Sequence, residues 1–344
     1  MSIKVTAKYP SNIALVKYWG KYGNQLPCNA SLSMTLTHAH TEVVLECLPR
    51  SQDEVALSYY FEGNLNPAFG ARVMKYINTQ PEFSQLLDNF SLRFSSHNSF
   101  PHSTGIASSA SAFAAIAAAL FKAVNPTLSD DSTLKEMSRL ARLGSGSACR
   151  SFYGPYSLWG QLVEIAGSSN EFAIPVTEIH DNFKSMKDAI IIVESEPKEV
   201  SSSKGHSLME GHPYAEARFR DANKHCLEMV STLRNGDFSS FISITEREAL
   251  SLHAMMMTSS DYYMLIRPQT VQIIKNIFHF RKDTRLPLCF TLDAGPNVHL
   301  LYPESIELQV KEFINEMVIK DSNSVIFDQS GTGGLTLNYV NGAA

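Results

Sequence analysis

The segment at residues 101–110 constrains the fold of this chain more than any other. It reads Pro-His-Ser-Thr-Gly-Ile-Ala-Ser-Ser-Ala and joins a predicted strand to residues 111–123, whose many alanines favour a helix. A helix N-terminus carries unpaired N–H groups and partial positive charge, which suit phosphate. Two interpretations fit: a phosphate-binding loop without the Walker sequence, or a capped helix whose small residues allow close packing.

A cationic segment follows the first predicted strand, at residues 3–9. The apolar run at residues 13–16 leads directly into Lys17, and Lys21 follows four positions later. A lysine at the end of a buried strand is costly unless it is paired, which makes Lys17 a functional candidate. The two lysines either share a helical face or converge on one anion from a loop. Trp19, between them, is interpreted as a packing residue.

Two further loops combine small residues with a cation. Residues 144–150 read Gly-Ser-Gly-Ser-Ala-Cys-Arg, and the planar guanidinium of Arg150 suits phosphate or carboxylate. Residues 200–206 are small and polar and include Lys204. Each loop alone could be a flexible turn, but their occurrence in one chain with residues 101–110 favours anion binding.

An aspartate stands at the edge of the last strongly apolar strand. Residues 286–292 predict this strand, which is followed directly by Asp293 and a Gly-Pro turn. Such an aspartate is often only a turn former. Alternatively, its carboxylate is poised to accept a proton or to orient a hydroxyl group.

The length of 344 residues predicts two domains, with a boundary near residue 185. The first would span residues 1–185. Residues 186–344 would form the second, in which strands and helices alternate as in an α+β fold. Within the first, the polar–apolar alternation at residues 29–36 and 41–48 predicts two strands joined as a hairpin.

Charge and cysteine content exclude several classes of function. The net charge of -5 argues against a nucleic-acid-binding surface. The five cysteines are scattered without a C-x-x-C pair, which indicates reduced thiols and a cytoplasmic location. The first residues hold no apolar signal core, and no apolar run approaches a membrane span, so no membrane partner is expected.

Together these segments resemble the diphosphomevalonate decarboxylase family of the GHMP kinase superfamily. The loop at residues 105–110 is common to the superfamily, whereas residues 17–21 and 144–150 are specific to the decarboxylase branch. The matching segments occur in family order: Asn-Ile-Ala at 12–14, Lys-Tyr-Trp-Gly-Lys at 17–21, Asn-Ala-Ser-Leu-Ser at 29–33, Asn-Ser-Phe-Pro at 98–101, Gly-Ile-Ala-Ser-Ser-Ala at 105–110, Gly-Ser-Gly-Ser-Ala-Cys-Arg-Ser at 144–151, Val-Ser-Ser at 200–202 and Asp-Ala-Gly-Pro-Asn at 293–297.

The resemblance implies a ribosomal-protein-S5-like N-terminal domain, a ferredoxin-like C-terminal domain and a site in the cleft between them. It implies that ATP and (R)-5-diphosphomevalonate become isopentenyl diphosphate, CO2, ADP and phosphate, in a homodimeric enzyme of isoprenoid biosynthesis. Asp293 would face the tertiary hydroxyl, beside Lys17, with Arg150 near the carboxylate. Ser147 would point at the reacting end.

The resemblance also assigns binding residues. Those for the diphosphate and carboxylate of the substrate are Tyr18, Lys21, Ser145, Arg150 and Ser202. Those for ATP are Asn98, Gly105, Ala107, Ser108 and Ser109, with Mg²⁺ near Ser109. Three alternatives remain open: a phosphomevalonate decarboxylase, a mevalonate 3-kinase that stops after phosphoryl transfer, and a non-catalytic nucleotide-binding protein.

Overall fold

A computed structural model describes residues 2–50, 55–100, 108–194 and 202–342. The strands are β1 (Ser2–Val16), β2 (Lys21–Tyr22), β3 (Leu26–Pro27), β4 (Ser31–Pro49), β5 (Leu57–Phe61), β6 (Asn64–Leu65), β7 (Phe90–Asn98), β8 (Tyr156–Trp159), β9 (Ala173–Pro175), β10 (Met186–Ile192), β11 (Cys289–Leu292), β12 (Val298–Pro303), β13 (Ser324–Gln329) and β14 (Thr336–Gly342).

The helices are α1 (Pro67–Asn78), α2 (Pro81–Ser84), α3 (Leu86–Asn89), α4 (Ser108–Val124), α5 (Asp131–Gly144), α6 (Asp181–Lys184), α7 (Ser202–Ser207), α8 (Ala215–Asn235), α9 (Phe238–Met257), α10 (Pro268–Thr284) and α11 (Glu307–Phe313). A 3₁₀ segment, Gly146–Phe152, follows α5. The α+β prediction is confirmed. Within the described residues, no helix has the length and apolar character needed to cross a membrane.

The larger sheet has the strand order β14-β1-β4-β7-β5-β6, and β8 and β9 extend it from β4. Helix α4 packs against β1 and β4. The side chains at residues 114–119 are fully buried, and five of these six residues are alanine. Small side chains let a helix lie close to a sheet, so the alanine-rich composition that predicted this helix also explains its central position.

The predicted hairpin between residues 29–36 and 41–48 is wrong. These residues belong to one strand, β4, which pairs with β1 on both sides of an interruption at residues 36–39. Residues 37–40 contain no glycine or proline, and the N–H groups of Thr37, His38 and Ala39 all donate to the Asp328 carboxylate. Between the Pro10–His40 and Asn12–Thr35 pairs, four residues of β4 stand opposite one residue of β1, so β4 bulges here and its side-chain alternation is interrupted without a turn.

The smaller sheet has the order β11-β12-β10-β13. Its core contains Ile191, Phe290 and Leu300, packed with Ile273 and Ile277 of α10. Although β14 follows this sheet in the chain, it pairs with β1 of the larger sheet from Ser2↔Gly342 to Lys8↔Thr336. The division at residues 185 and 186 remains a prediction.

The Asp328 carboxylate connects the two sheets and carries the first testable prediction. The residue is buried, and its carboxylate accepts hydrogen bonds from the N–H groups of Thr37 and His38 at 2.9 Å and of Ala39 at 2.6 Å. Asp328→Ala leaves these donors unpaired, so we expect urea denaturation to show a loss of about 3 kcal/mol or more in the free energy of unfolding. The control is Asp181→Ala, at an exposed site, where little change is expected. Equal losses would contradict the prediction.

Candidate active site

An ion pair joins the ends of one strand from each sheet. Lys17 directly follows β1 and Asp293 directly follows β11. The Lys17 Nζ atom donates to the Asp293 Oδ1 atom at 3.0 Å. The Lys17 side chain is 2% exposed and that of Asp293 is 26% exposed, so the carboxylate is the member that solvent or a ligand can reach.

The charge on Lys17 depends on its neighbours. Burial lowers the pKa of Lys17 below its ordinary value, the carboxylates of Asp293 and Glu248 oppose this effect, and the Arg150 guanidinium adds to it. The pKa of this buried ammonium is therefore sensitive to any change in the charges of Asp293, Glu248 or Arg150.

Arg150 lies beside this pair on the 3₁₀ segment and is buried. Its Nε atom donates to the Asn12 Oδ1 atom at 3.2 Å, and its Nη1 atom donates to the Ser31 Oγ atom at 2.5 Å. Asn12 also donates to the Ser147 carbonyl at 3.2 Å and to the Ser151 hydroxyl at 2.9 Å. The sequence assigned no role to Asn12 or Ser31, although both lie in the segments that carry the family resemblance.

A pair of serine hydroxyls connects two of the small-residue loops. Ser109, in the first turn of α4, lies with its Oγ atom 2.9 Å from that of Ser145, and either hydroxyl can be the donor. Ser145 caps the end of α5, and Ser147 follows it with a half-buried side chain. The predicted substrate loop and the predicted nucleotide helix thus meet directly.

Tyr18 and Lys21 follow Lys17. The Tyr18 ring lies 4.6 Å from that of Trp159, and burial raises the pKa of the Tyr18 hydroxyl, which therefore stays protonated. Within the described residues, this buried hydroxyl has no hydrogen-bond partner. Since an unsatisfied buried hydroxyl is costly, a ligand acceptor would stabilise it. The Lys21 Nζ atom donates to the Gln25 Oε1 atom at 2.9 Å, and burial lowers the pKa of Lys21.

His206 is a site residue that the sequence did not predict. Its Nδ1 atom accepts the Gly20 N–H at 3.0 Å, and its ring centroid lies 4.2 Å from that of Tyr18 and 4.7 Å from that of Trp19. The contact fixes α7 against the segment that carries Lys21. Because Nδ1 accepts, the proton of the neutral ring resides on Nε2.

The structure describes some of the residues that are predicted to bind the nucleotide. Asn98 ends β7, and its Oδ1 atom accepts from the Thr41 hydroxyl at 2.8 Å, which ties β7 to β4. Ser108 and Ser109 are half-buried at the start of α4. Gly105 and Ala107 lie outside the described residues, and Ser202 is described only through its backbone in α7.

These residues fit a nucleotide with its metal ion. The start of α4 offers helix N–H groups and serine hydroxyls, which suit phosphate oxygens. In the part of the chain that the structure describes, no group of three or more His, Cys, Asp or Glu side chains is arranged to hold a metal ion. Mg²⁺ commonly binds through substrate phosphates with few protein ligands, so the Ser109 hydroxyl suits this mode.

Comparisons with known proteins give consistent matches. Residues 9–170 match the diphosphomevalonate decarboxylase-like N-terminal domain, and residues 189–337 match the mevalonate 5-diphosphate decarboxylase C-terminal domain. The diphosphomevalonate decarboxylase of Ganoderma lucidum is 30% identical over 99% of this chain and 89% of its own length.

Solved structures show the same similarity. Mevalonate diphosphate decarboxylase from Enterococcus faecalis, in a structure that describes ATP binding mediated by mevalonate diphosphate, has a TM-score of 0.84, is 27% identical and covers 99% of this chain and 100% of its own. A structure described as MDDEF in complex with MVAPP, AMPPCP and magnesium has a TM-score of 0.85 at 28% identity, again covering 99% and 100%.

The surroundings of His206 predict an unusual titration. Burial, reinforced by the Lys21 and Arg150 cations, lowers its pKa to about 3. An ordinary histidine titrates near pH 6.5. We therefore expect ¹⁵N NMR, with the ring assigned from a His206→Gln spectrum, to show a neutral Nε2–H tautomer from pH 8 to pH 5. The unfolded chain binds this proton at a higher pH than the folded chain, so lowering the pH from about 6.5 toward about 3 favours unfolding. A midpoint between pH 5 and 7 would contradict the prediction.

Proposed function

The chain belongs to the diphosphomevalonate decarboxylase family, and we propose that its Lys17, Arg150 and Asp293 carry the family's reaction. The enzyme is an ATP-dependent decarboxylase of the mevalonate pathway, with the two-domain GHMP-kinase-like fold of that family. Its substrates are (R)-5-diphosphomevalonate and ATP, and its products are isopentenyl diphosphate, CO2, ADP and phosphate. The Lys17–Asp293 pair is the observation that supports these roles most directly.

The residue types suit the chemistry of the first step. A tertiary hydroxyl is a poor leaving group, so it is phosphorylated before it departs. Phosphoryl transfer depends on positioning and charge stabilisation more than on covalent catalysis. Asp293, partly exposed and 3.0 Å from the Lys17 ammonium, would accept the proton of this hydroxyl or orient it toward the phosphoryl donor. Lys17 would favour the ionised carboxylate and stabilise developing negative charge.

The second step needs a fixed carboxylate on the substrate. Departure of phosphate leaves positive character on carbon, and loss of CO2 supplies the electron pair that forms the alkene. Arg150 would hold the carboxylate, because Asn12 and Ser31 engage its Nε and Nη1 atoms. Within the described residues, its Nη2 group makes no protein hydrogen bond, which leaves a donor for the substrate. Ser147, held through its carbonyl by Asn12, would face the reacting end.

The remaining binding roles are those that the family resemblance implies. The diphosphate would contact Tyr18, Lys21, Ser145 and Ser202. ATP would contact Asn98, Gly105, Ala107, Ser108 and Ser109. Mg²⁺, held by the nucleotide phosphates and Ser109, would supply positive charge that offsets the charge on the transferred phosphoryl group.

The roles of the two domains, the oligomeric state, the location and the partners also belong to this proposal. We assign ATP binding to residues 1–185 and the ferredoxin-like part to residues 186–344, with β14 returning to the larger sheet. We also propose a homodimer, which the family resemblance implies, and a cytoplasmic location, which suits the five free cysteines. Small-molecule substrates would be its partners, without nucleic acid.

An assay with three substrates tests the activity. Mevalonate, its 5-phosphate and its 5-diphosphate are each supplied with Mg-ATP, while ADP release and CO2 are measured separately. We expect equal amounts of ADP and CO2 with the 5-diphosphate, because phosphoryl transfer commits the substrate to decarboxylation. ADP without CO2 would indicate a 3-kinase, turnover of the 5-phosphate would indicate the sibling decarboxylase, and no turnover would indicate a non-catalytic nucleotide-binding protein.

Asp293→Asn tests the proposed role of the carboxylate. The amide keeps the size of the side chain but removes its charge and its ability to accept the proton, so kcat should fall by at least about 10²–10³. The KM for diphosphomevalonate should change much less, because the cations that bind the diphosphate remain. Steady-state kinetics measures both values, with the exposed Asp181→Asn as the control. Near-normal turnover in Asp293→Asn would refute the role.

A further inference from the structure

The backbone of Lys17 is held by a buried charged cluster that lies apart from the Lys17 ammonium. The Glu248 Oε2 atom of α9 accepts the Lys17 N–H at 2.9 Å. The Arg218 Nη2 atom of α8 donates to the Lys17 carbonyl at 3.3 Å. Asn29 donates to the same carbonyl at 2.9 Å. Both peptide groups that flank the Lys17 side chain are therefore fixed by side chains distant in sequence.

We call Glu248, Arg218 and His225 the Glu248 cluster. Arg218 donates to the Glu248 Oε2 atom at 2.6 Å and to its Oε1 atom at 3.1 Å, and the His225 Nδ1 atom lies 2.6 Å from Oε1. The Glu248 side chain is 0% exposed and that of Arg218 is 1% exposed. Buried ion pairs contribute little net stability because desolvation of the charges is costly. Stability alone therefore does not explain the Glu248 cluster.

Helix α9 contacts both members of the ion pair. Glu248 holds the Lys17 backbone, and His253, five residues later on the same helix, has its Nε2 atom 3.0 Å from the Asp293 carbonyl. Lys17 follows a strand of the larger sheet and Asp293 follows a strand of the smaller one. One rigid helix thus spans the two groups and sets their relative position.

We propose that Glu248 is a positioning residue for the reaction. It holds the Lys17 backbone so that the ammonium meets Asp293, and its negative charge supports the ammonium in a buried site. Because this proposal rests on the proposed roles of Lys17 and Asp293, its test includes a measurement that does not depend on turnover.

The charges around Lys17 determine the direction in which its pKa shifts when the charge of Glu248 is removed. Asp293 faces it from the end of β11, Arg150 from the 3₁₀ segment and Glu248 from α9, with Arg218 and His225 of α8 bound to Glu248. Burial opposes the charge of Glu248, but hydrogen bonds from His225 and the Lys17 N–H and the Arg218 charge hold the pKa of Glu248 below its usual value. Glu248 is therefore ionised, and removing its charge lowers the pKa of Lys17 further.

The test compares Glu248→Gln with Glu246→Gln. Glu246 is also on α9 and also paired, with Arg281 at 2.5 Å and 3.0 Å, and it contacts the Phe290 N–H instead of Lys17. Both variants lose a paired, largely buried carboxylate. Only Glu248→Gln should lower kcat, by about 10- to 100-fold, with KM little changed. Only Glu248→Gln should move the alkaline limb of the kcat profile to lower pH, because Lys17 loses its proton earlier.

An NMR titration of Lys17 tests the positioning role of Glu248 without measuring enzyme activity. NMR of lysine-labelled protein, with the Lys17 signal assigned from a Lys17→Met spectrum, should show a lower Lys17 pKa in Glu248→Gln and an unchanged one in Glu246→Gln. If the wild-type protein fails to decarboxylate diphosphomevalonate, the proposed function fails, while the titration still decides whether Glu248 controls Lys17.

Glu248→Asp covers the case in which Glu248→Gln does not fold. The shorter side chain keeps the charge but withdraws it from the Lys17 N–H, so kcat should fall while the Lys17 pKa stays closer to that of the wild type. Wild-type kcat in Glu248→Asp, or the same kinetic and titration changes in Glu246→Gln as in Glu248→Gln, would overturn the proposal.

Discussion

The contact between the Lys17 ammonium and the Asp293 carboxylate is the interaction on which the site depends. It joins residues 276 positions apart, each at the end of a strand in a different sheet. Burial of a lysine with 2% exposure disfavours its charged form, and the adjacent Asp293 carboxylate opposes that effect. The pair therefore forms only when both sheets are folded and correctly placed.

Several contacts hold the larger and the smaller sheet in the relative position that the ion pair requires. Strand β14 returns from the C-terminal half to pair with β1, Asp328 of β13 accepts three N–H donors from β4, and α9 contacts the residues that follow β1 and β11. Each contact is polar and directional. Together they define an orientation that hydrophobic packing alone specifies less strictly.

The site also explains how an acidic protein can bind two anionic substrates. Net charge describes the whole surface, whereas Lys17 and Arg150 are buried close to each other and Lys21 is half-buried near Arg150. Burial strengthens the interaction of these cations with an incoming anion. The same burial lowers the pKa of both lysines, and the carboxylates of Asp293 and Glu248 oppose this effect at Lys17.

The sequence by itself predicted those features that depend only on residues close together in the chain. These include the alanine-rich α4, the small-residue loops, and Lys17 and Asp293 at the ends of apolar strands. It wrongly divided β4, because the bulge at residues 36–39 interrupts the alternation of the strand as a turn would. It did not indicate His206 or Glu248, because a polar residue within a helix resembles a solvated face until its partner is known. Lys17 lies 231 positions from Glu248, and Gly20 lies 186 positions from His206. Only the tertiary structure brings these groups into contact, and their burial then makes each hydrogen bond necessary.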